Sequence, residues 1–390
     1  MKPLTNKDIK GLAARHGLNL LWAGPPPAIS SAVTRLQRWQ ESGFAGEMGY
    51  MLRPPQMYVD IANFLPEVKS VILVTVHYEG PLGGSRPEGH GRVARYAWGR
   101  DYHRVLKRKL KALMMELQKL VPHELTYRIF ADAVPLLERA FAERAGLGFI
   151  GKNSMLIQPG AGSYFFIGEV VTNLPIEEES PNSSRGSCGE CTRCITSCPT
   201  NAIVWDRVVD ARKCISYLTI EKRGSLSHWE REAIGEWVFG CDLCQEVCPF
   251  NHIAHKGRRS INILSEFNAE EGCGPFLSLD LVLSIRTSEE FTKRFAGTPL
   301  MRPGRSGLLR NASIVAANTG CGALEAALTV AAREDSCEVV RQHALWALFS
   351  LFKKCNIGSR KRLEQIIMEA ERDSGAHITG EVKWIKEQLQ

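Results

Sequence analysis

Eight of the twelve cysteines stand in two linked sets. Cys188, Cys191, Cys194 and Cys198 are spaced C-x2-C-x2-C-x3-C-P, and Cys214 is followed, after 26 residues, by Cys241-x2-Cys244-x3-Cys248-Pro249. Three thiolates at i, i+3 and i+6 can each take one corner of an iron–sulfur cubane. The fourth, held off by three residues and a proline turn, points to a different cluster. This spacing assigns Cys188, Cys191, Cys194 and Cys248 to one 4Fe–4S cluster and Cys198, Cys214, Cys241 and Cys244 to a second. Two four-thiolate zinc sites would use the same eight residues, but zinc ribbons are built from paired C-x2-C arms. Cys273, Cys321, Cys337 and Cys355 show no ligand spacing and read as ordinary thiols.

A second motif competes for attention. Gly146-Leu-Gly148-Phe-Ile-Gly151 matches G-x-G-x-x-G, which in a dinucleotide site follows a strand and opens a helix. Here it follows the helix-like ERAFAERA and leads into a turn and strand, so the glycines are expected to serve a tight turn after a helix end. Two basic groups complete the chemistry: Lys256, Arg258 and Arg259, then Lys293, Arg294, Arg302, Arg305 and Arg310 in a loop-rich stretch. Such residues suit phosphate contacts or a solvated basic face.

The elements that position these residues are those of a globular chain of 390 residues, 44% hydrophobic and 23% charged, with net charge +7. No apolar run approaches the roughly 20 residues that span a bilayer, and the N-terminus lacks the order of a signal peptide. A soluble, cytoplasmic protein is expected, and in a reducing compartment patterned cysteines read as metal ligands. The spacing predicts strands at Val71–Val76, Leu125–Phe130 and Ser163–Thr172. It predicts a helix from Asp101 with Leu106, Leu110, Leu113, Leu117 and Leu120 on one face, and another helix in PLLERAFAERAG. The polar stretch Glu177–Ser187 reads as a boundary. Leu308–Ala317 and Val339–Leu348 resemble one another 31 residues apart, as stacked helical repeats do, though a plain bundle gives the same pattern.

With these residues in view, the chain resembles the epoxyqueuosine reductases. The likeness is carried by RYAWGRDYH (Arg95–His103), D-x-x-P-x-x-E-R (Asp132 to Arg139), GLGFIGKN (Gly146–Asn153), the eight cysteines and Arg310-Asn311-Ala312. It implies an α/β cobalamin-binding domain over 1–178, a bacterial ferredoxin-like two-cluster module over 179–255, and an all-α HEAT-like, tRNA-binding domain over 256–390. It also implies an activity: two-electron, two-proton reduction of the epoxide of epoxyqueuosine, at the tRNA wobble position, to queuosine with loss of water. Asp132 falls at the family's proton-donor position and is expected to keep its proton when corrin and substrate bury it. Read from the residues alone, Asp132 is as readily an N-cap for the PLLER helix.

The resemblance implies cobalamin contacts from Arg95, Tyr96, Trp98, Asp101, Tyr102, His103, Lys152, Asn153, Ser154, Leu156, Ser216 and Asp242. His103 carries no cobalt-ligand role, since the family binds the cofactor base-off. The tRNA is expected at Lys293, Arg294, Arg302, Arg305 and Arg310. Electrons are expected from an external donor such as a flavodoxin or ferredoxin, to a monomer. One departure is visible: relatives often carry R-x-D-P where this chain has Tyr58-Val59-Asp60-Ile61, and Arg53 is the nearest substitute. The alternatives are a flavin- or nicotinamide-linked iron–sulfur oxidoreductase using GLGFIG, or a non-enzymatic electron-transfer subunit. A relay alone would not need about 180 residues of α/β domain before its cysteines.

Overall fold

The β-branched run Ser70–His77 is buried at every position, which suits an inner strand covered on both faces rather than an edge. In the computed structural model, which describes residues 4–78, 84–132, 136–177, 186–252, 263–372 and 375–390, it is β2 of an antiparallel sheet. The sheet comprises β1 (Asn19–Gly24), β2 (Ser70–His77), β3 (Tyr127–Phe130) and β4 (Phe165–Thr172), in the order β1-β2-β4-β3. Around it lie α1 (Asn6–Arg15), α2 (Ser30–Glu41), α3 (Tyr102–Gln118) and α4 (Glu138–Arg144). Two one-turn helices, α5 (Arg193–Thr196) and α6 (Leu243–Glu246), carry cysteines.

Helix α3 starts where Asp101 caps it, accepting the N–H of His103 at 3.0 Å. Its leucines close on one sheet face. Gly168 of β4 allows the approach, since a Cβ there would lie 3.0 Å from Leu110 and 3.1 Å from Val74. The helix stops at Gln118, so Leu120, expected on its buried face, is exposed. Pro122 disfavours helical backbone at the residue before it, which ends the helix early. The opposite sheet face packs Val71, Leu73, Phe165 and Val171 against Phe141 and Ala142 of α4.

The residues divide into two units that do not follow chain order. One contains 1–80, 100–212 and 242–271; the other contains 81–99, 213–241 and 272–390. The second unit holds a small sheet in which His90–Val93 pairs parallel with Trp237–Phe239 and antiparallel with Phe276–Ser278. Its helices α7 (Gly304–Asn318), α8 (Glu325–Glu334), α9 (Glu338–Cys355), α10 (Arg360–Ala370) and α11 (Ala376–Leu389) follow. Helix α9 packs against all four others and is buried from Gln342 to Leu351 without interruption. The two stretches of similar sequence fall on α7 and α9, which pack on each other. No described helix is long and apolar enough to cross a membrane.

Candidate active site

Strand β3 ends at Phe130, and two residues later Asp132 adopts φ 54°. Left-handed backbone is uncommon outside glycine, although aspartate tolerates it better than most residues. The turn aims the carboxyl at α3: Tyr102 Oη donates to Asp132 Oδ2 at 2.6 Å. Tyr102 is held by stacking, with Phe166 at 4.4 Å and 6° between planes and His103 at 4.0 Å. His103 in turn bonds Asp101 through Nδ1 at 2.8 Å. Burial pushes the Asp101 carboxyl up, but the hydrogen bond and charge of His103, with Arg104, outweigh it and hold the group below its ordinary value. The capping role open to Asp132 does not survive: the N-cap of α4 is Leu137, and the Asp132 side chain is engaged by Tyr102. Pro135 lies outside the described residues.

Two carboxyls that sequence patterning missed stand behind this turn. Glu138, the first residue of α4, accepts the backbone N–H of Asp132 at 2.7 Å. Burial, then the charge of Asp132, push its carboxyl up to about 8. Glu169 of β4 is fully buried, and neither carboxyl oxygen has a hydrogen-bond partner among the described residues. Burial first, and the charge of Glu138 second, drive it well above the usual carboxylate range. Its register partners are Leu73 and Phe130, so apolar strand neighbours surround it. In FFIGEVVT a lone glutamate between apolar residues looks like an outward-facing position. Only α4, packed across that face, makes it an inward one.

The GLGFIG motif forms a hairpin and no nucleotide loop. After α4 the chain turns at Gly146, with φ 79°, and Phe149–Ile150 pairs with Leu156–Ile157. A Cβ at Gly148 would lie 2.2 Å from the carbonyl oxygen of Ile157, so only glycine fits. The hairpin tip, Gly151 to Ser154, reaches in two directions. Toward the cysteines, Lys152 N–H donates to Cys188 Sγ at 3.4 Å and Asn153 Nδ2 to the carbonyl of Cys244 at 3.3 Å. Toward the acid group, Arg139 Nη1 donates to the carbonyl of Ser154 at 2.5 Å. One short loop therefore touches the cysteine segments and the residue next to Glu138.

Cys188, Cys191, Cys194 and Cys248 come together in the first unit. Burial and the charges of Cys188, Cys248 and Cys191 push the Cys194 thiol up. Burial likewise raises Cys248, with Cys188 and Cys191 adding to the shift. Four thiols within electrostatic reach of one another suit a shared polynuclear centre. Cys198 Sγ accepts the N–H of Ala202 at 3.3 Å. Cys214 is the N-cap of the helix Ile215–Ile220, on which Ser216 is half-buried.

The residues expected at a corrin have varied settings. The Trp98 indole donates to Val93 O at 2.8 Å, Leu156 lies in the core, and Asp242 is buried beside Gln245. Arg95 is buried with its guanidinium 5.4 Å from the Trp98 ring, and Tyr96 stands 6.0 Å from Phe239. Lys152 pairs with Asp206 at 3.5 Å, and the Ser154 hydroxyl donates to Arg207 O at 2.7 Å. Tyr102, His103, Lys152 and Ser154 thus carry hydroxyl, imidazole and ammonium groups, whereas Leu156 serves packing and Asn153 ties the hairpin tip to Cys244. Tyr58, at the departure from R-x-D-P, is buried and donates to Tyr50 O at 2.6 Å; its own carbonyl accepts Leu137 N–H at 3.1 Å.

Two of the five arginines and lysines expected at the nucleic acid need correction. Arg305 is buried, paired with Asp335 and donating to the carbonyl of Ile285. Arg310 is buried as well, donating to the carbonyls of Leu218, Lys222 and Gly224. Both satisfy interior acceptors that would otherwise be unpaired. Lys293 and Arg294 are exposed at the end of the helix Ser288–Phe295, and exposed Arg302 grips Glu221 at 2.9 and 3.0 Å. Lys256, Arg258 and Arg259 lie outside the described residues.

Residues 187–251 match the family described as the 4Fe-4S double cluster binding domain. This match makes the chain an iron–sulfur protein, of the class that passes electrons between clusters. Residues 59–133 match the family described as epoxyqueuosine reductase QueG, DUF1730. The epoxyqueuosine reductase of Synechocystis sp. is 41% identical over 283 residues, 72% of this chain and 94% of that one. A crystal structure of epoxyqueuosine reductase with an epoxyqueuosine-modified tRNA-Tyr stem loop is similar with a TM-score of 0.83, at 28% identity over 98% of each chain. The Bacillus subtilis enzyme, seen with its catalytic aspartate loop swung out of the active site, gives 0.82 at 28% identity, also over 98% of each chain. The chain belongs to the epoxyqueuosine reductase family.

Proposed function

We infer that this chain reduces the epoxide of epoxyqueuosine in tRNA to the alkene of queuosine, with two electrons and two protons consumed and water released. The observation that carries the chemistry is the Tyr102–Asp132 hydrogen bond beside Glu138, a proton-bearing group in a chain with a double-cluster domain. Opening an epoxide leaves an alkoxide, which is a poor leaving group without a proton. A positioned acid typically contributes about 10² to 10⁴ in rate. Asp132 is that acid. The Tyr102 hydroxyl stabilises the carboxylate left behind, and stacking on Phe166 fixes where it points.

Cys188, Cys191, Cys194 and Cys248 hold one cluster, supported by their gathered thiols, and Cys198, Cys214, Cys241 and Cys244 hold the other, supported by their spacing. Cobalamin, when bound, supplies a low-potential reducing centre that no side chain can provide. Tyr102, His103, Lys152 and Ser154 are the side chains we assign to it, with Arg95, Tyr96, Trp98, Asp101, Asn153, Leu156, Ser216 and Asp242 shaping the segments that meet it. The hairpin tip, which touches Cys188, the Cys244 carbonyl and Arg139, keeps the electron and proton sides in register. Lys293, Arg294 and Arg302 bind tRNA phosphates from the HEAT-like region. A flavodoxin or ferredoxin feeds the clusters, and the enzyme works as a cytoplasmic monomer.

The test is anaerobic turnover of epoxyqueuosine-containing tRNA by protein reconstituted with clusters and cobalamin, followed by nucleoside analysis. Queuosine is the expected product. Unchanged epoxyqueuosine in protein that retains both cofactors would overturn the reading.

A further inference from the structure

Turning an epoxide into an alkene breaks two C–O bonds to one oxygen and forms one C=C bond. Two electrons enter, and both protons end on that same oxygen as it leaves as water. A donor at a single position must therefore be reloaded between the first C–O cleavage and the second. Asp132 has one proton to give per loading, and the strained turn that carries it offers no second acid of its own.

We propose that half-buried Glu138 and buried Glu169 form a carboxyl pair that stores the second proton and returns it to Asp132 within one turnover. The proposal rests on Asp132 being the donor. Glu138 sits at the base of the turn, its Oε1 accepting the N–H of Asp132 at 2.7 Å. Glu169 lies behind it on β4, opposite Phe130, two residues before Asp132 in the chain. A fully buried carboxyl without a hydrogen-bond partner is destabilising, and no ion pair or cap in the described structure offsets that cost. Packing alone would be served better by an aliphatic side chain among Leu73, Phe130 and their neighbours.

Among the described residues, the charged groups acting on Glu138 are Asp132 from the turn and Arg139 from α4 itself, and the one acting on Glu169 is Glu138. A second negative charge beside Glu138 disfavours ionisation of buried Glu169, so the pair retains a proton at neutral pH. The charge of Glu138 helps hold Glu169 protonated, as that of Asp132 does Glu138. Without Glu169 the store is Glu138 alone, which gives up its proton at about 8.

The experiment compares wild type, Glu169→Gln, Glu138→Gln and Asp132→Asn. Infrared spectra read protonated carboxyl stretches across pH, and single-turnover rates are measured on cofactor-loaded protein. The expected result is a carboxyl band at neutral pH that weakens in either glutamate variant. E169Q should match wild type within about twofold near pH 6 and fall about tenfold or more above about pH 8, with its cluster absorption intact. Superimposed pH–rate profiles for E169Q and wild type, with D132N inactive, would overturn the proton store alone. Full turnover by D132N would overturn the donor assignment and the store with it. A neutral-pH infrared spectrum unchanged in both glutamate variants would overturn the store whatever the rates.

Discussion

The phenol of Tyr102 donates to Oδ2 of Asp132 at 2.6 Å, and its ring lies 4.4 Å from that of Phe166 with planes 6° apart. Stacking and hydrogen bonding are thus separable in this residue. Tyr102→Phe keeps the stack and removes the donor. Hydrogen bonds to charged groups are worth about 1.5–3 kcal/mol, so turnover should fall by roughly 10- to 100-fold with little change in tRNA affinity. Single-turnover rates and a tRNA binding isotherm check this, and an undiminished rate would count against the acid role of Asp132.

Stability should also depend on Glu138. Its folded-state value, raised to about 8 by burial and by Asp132, lies above the ordinary 4.5. The unfolded chain therefore releases that proton first as pH rises. The contribution of Glu138 is fully present below about 4.5 and is lost as pH climbs through about 8. Urea midpoints measured between those limits should decline in wild type and decline less in Glu138→Gln. Parallel slopes would mean that the carboxyl is not held protonated.

The cysteine assignment predicts which substitutions share a phenotype. Cys194→Ser and Cys248→Ser, far apart in sequence, should remove the same cluster. Cys198→Ser, only four residues from Cys194, should remove the other. Low-temperature spin resonance of the reduced proteins distinguishes the two signals. If Cys198→Ser and Cys194→Ser lost the same one, the crossed arrangement would be wrong.

For the nucleic acid, charge reversal at Lys293 and Arg294 should weaken tRNA binding and flatten its salt dependence, because each phosphate contact contributes to the slope. Reversal at Arg305 should instead destabilise the fold, since it would leave Asp335 buried without its cation. Binding titrations across salt, paired with thermal melts, separate the two effects. Full affinity in the Lys293/Arg294 double variant would remove that surface from consideration.

What could be read from sequence was local. Ser70–His77 shows itself as a buried strand through its own composition, and α3 through leucines repeating at helical spacing. The first four cysteines need only eleven residues to show their spacing. Glu169 was not legible, because its burial depends on α4 crossing the sheet from another part of the chain. Arg305 and Arg310 failed for a similar reason. In sequence they belong to a basic run, and only the distant carbonyls and the carboxylate they meet reveal an interior role.

Arg310 and its neighbour Asn311 hold the carbonyls of Leu218, Thr219, Lys222, Gly224 and Val238, all within the stretch that separates Cys214 from Cys241. That spacer is thus shaped by a helix some ninety positions downstream, and cannot be transplanted as a self-sufficient cassette. Shortening the chain before α7, or replacing Arg310, should disorder the path between two cysteines without touching either. In a screen that scores only modified tRNA, such a variant would pass for a lost nucleic-acid contact. Iron content would reveal it as a failure of cofactor assembly.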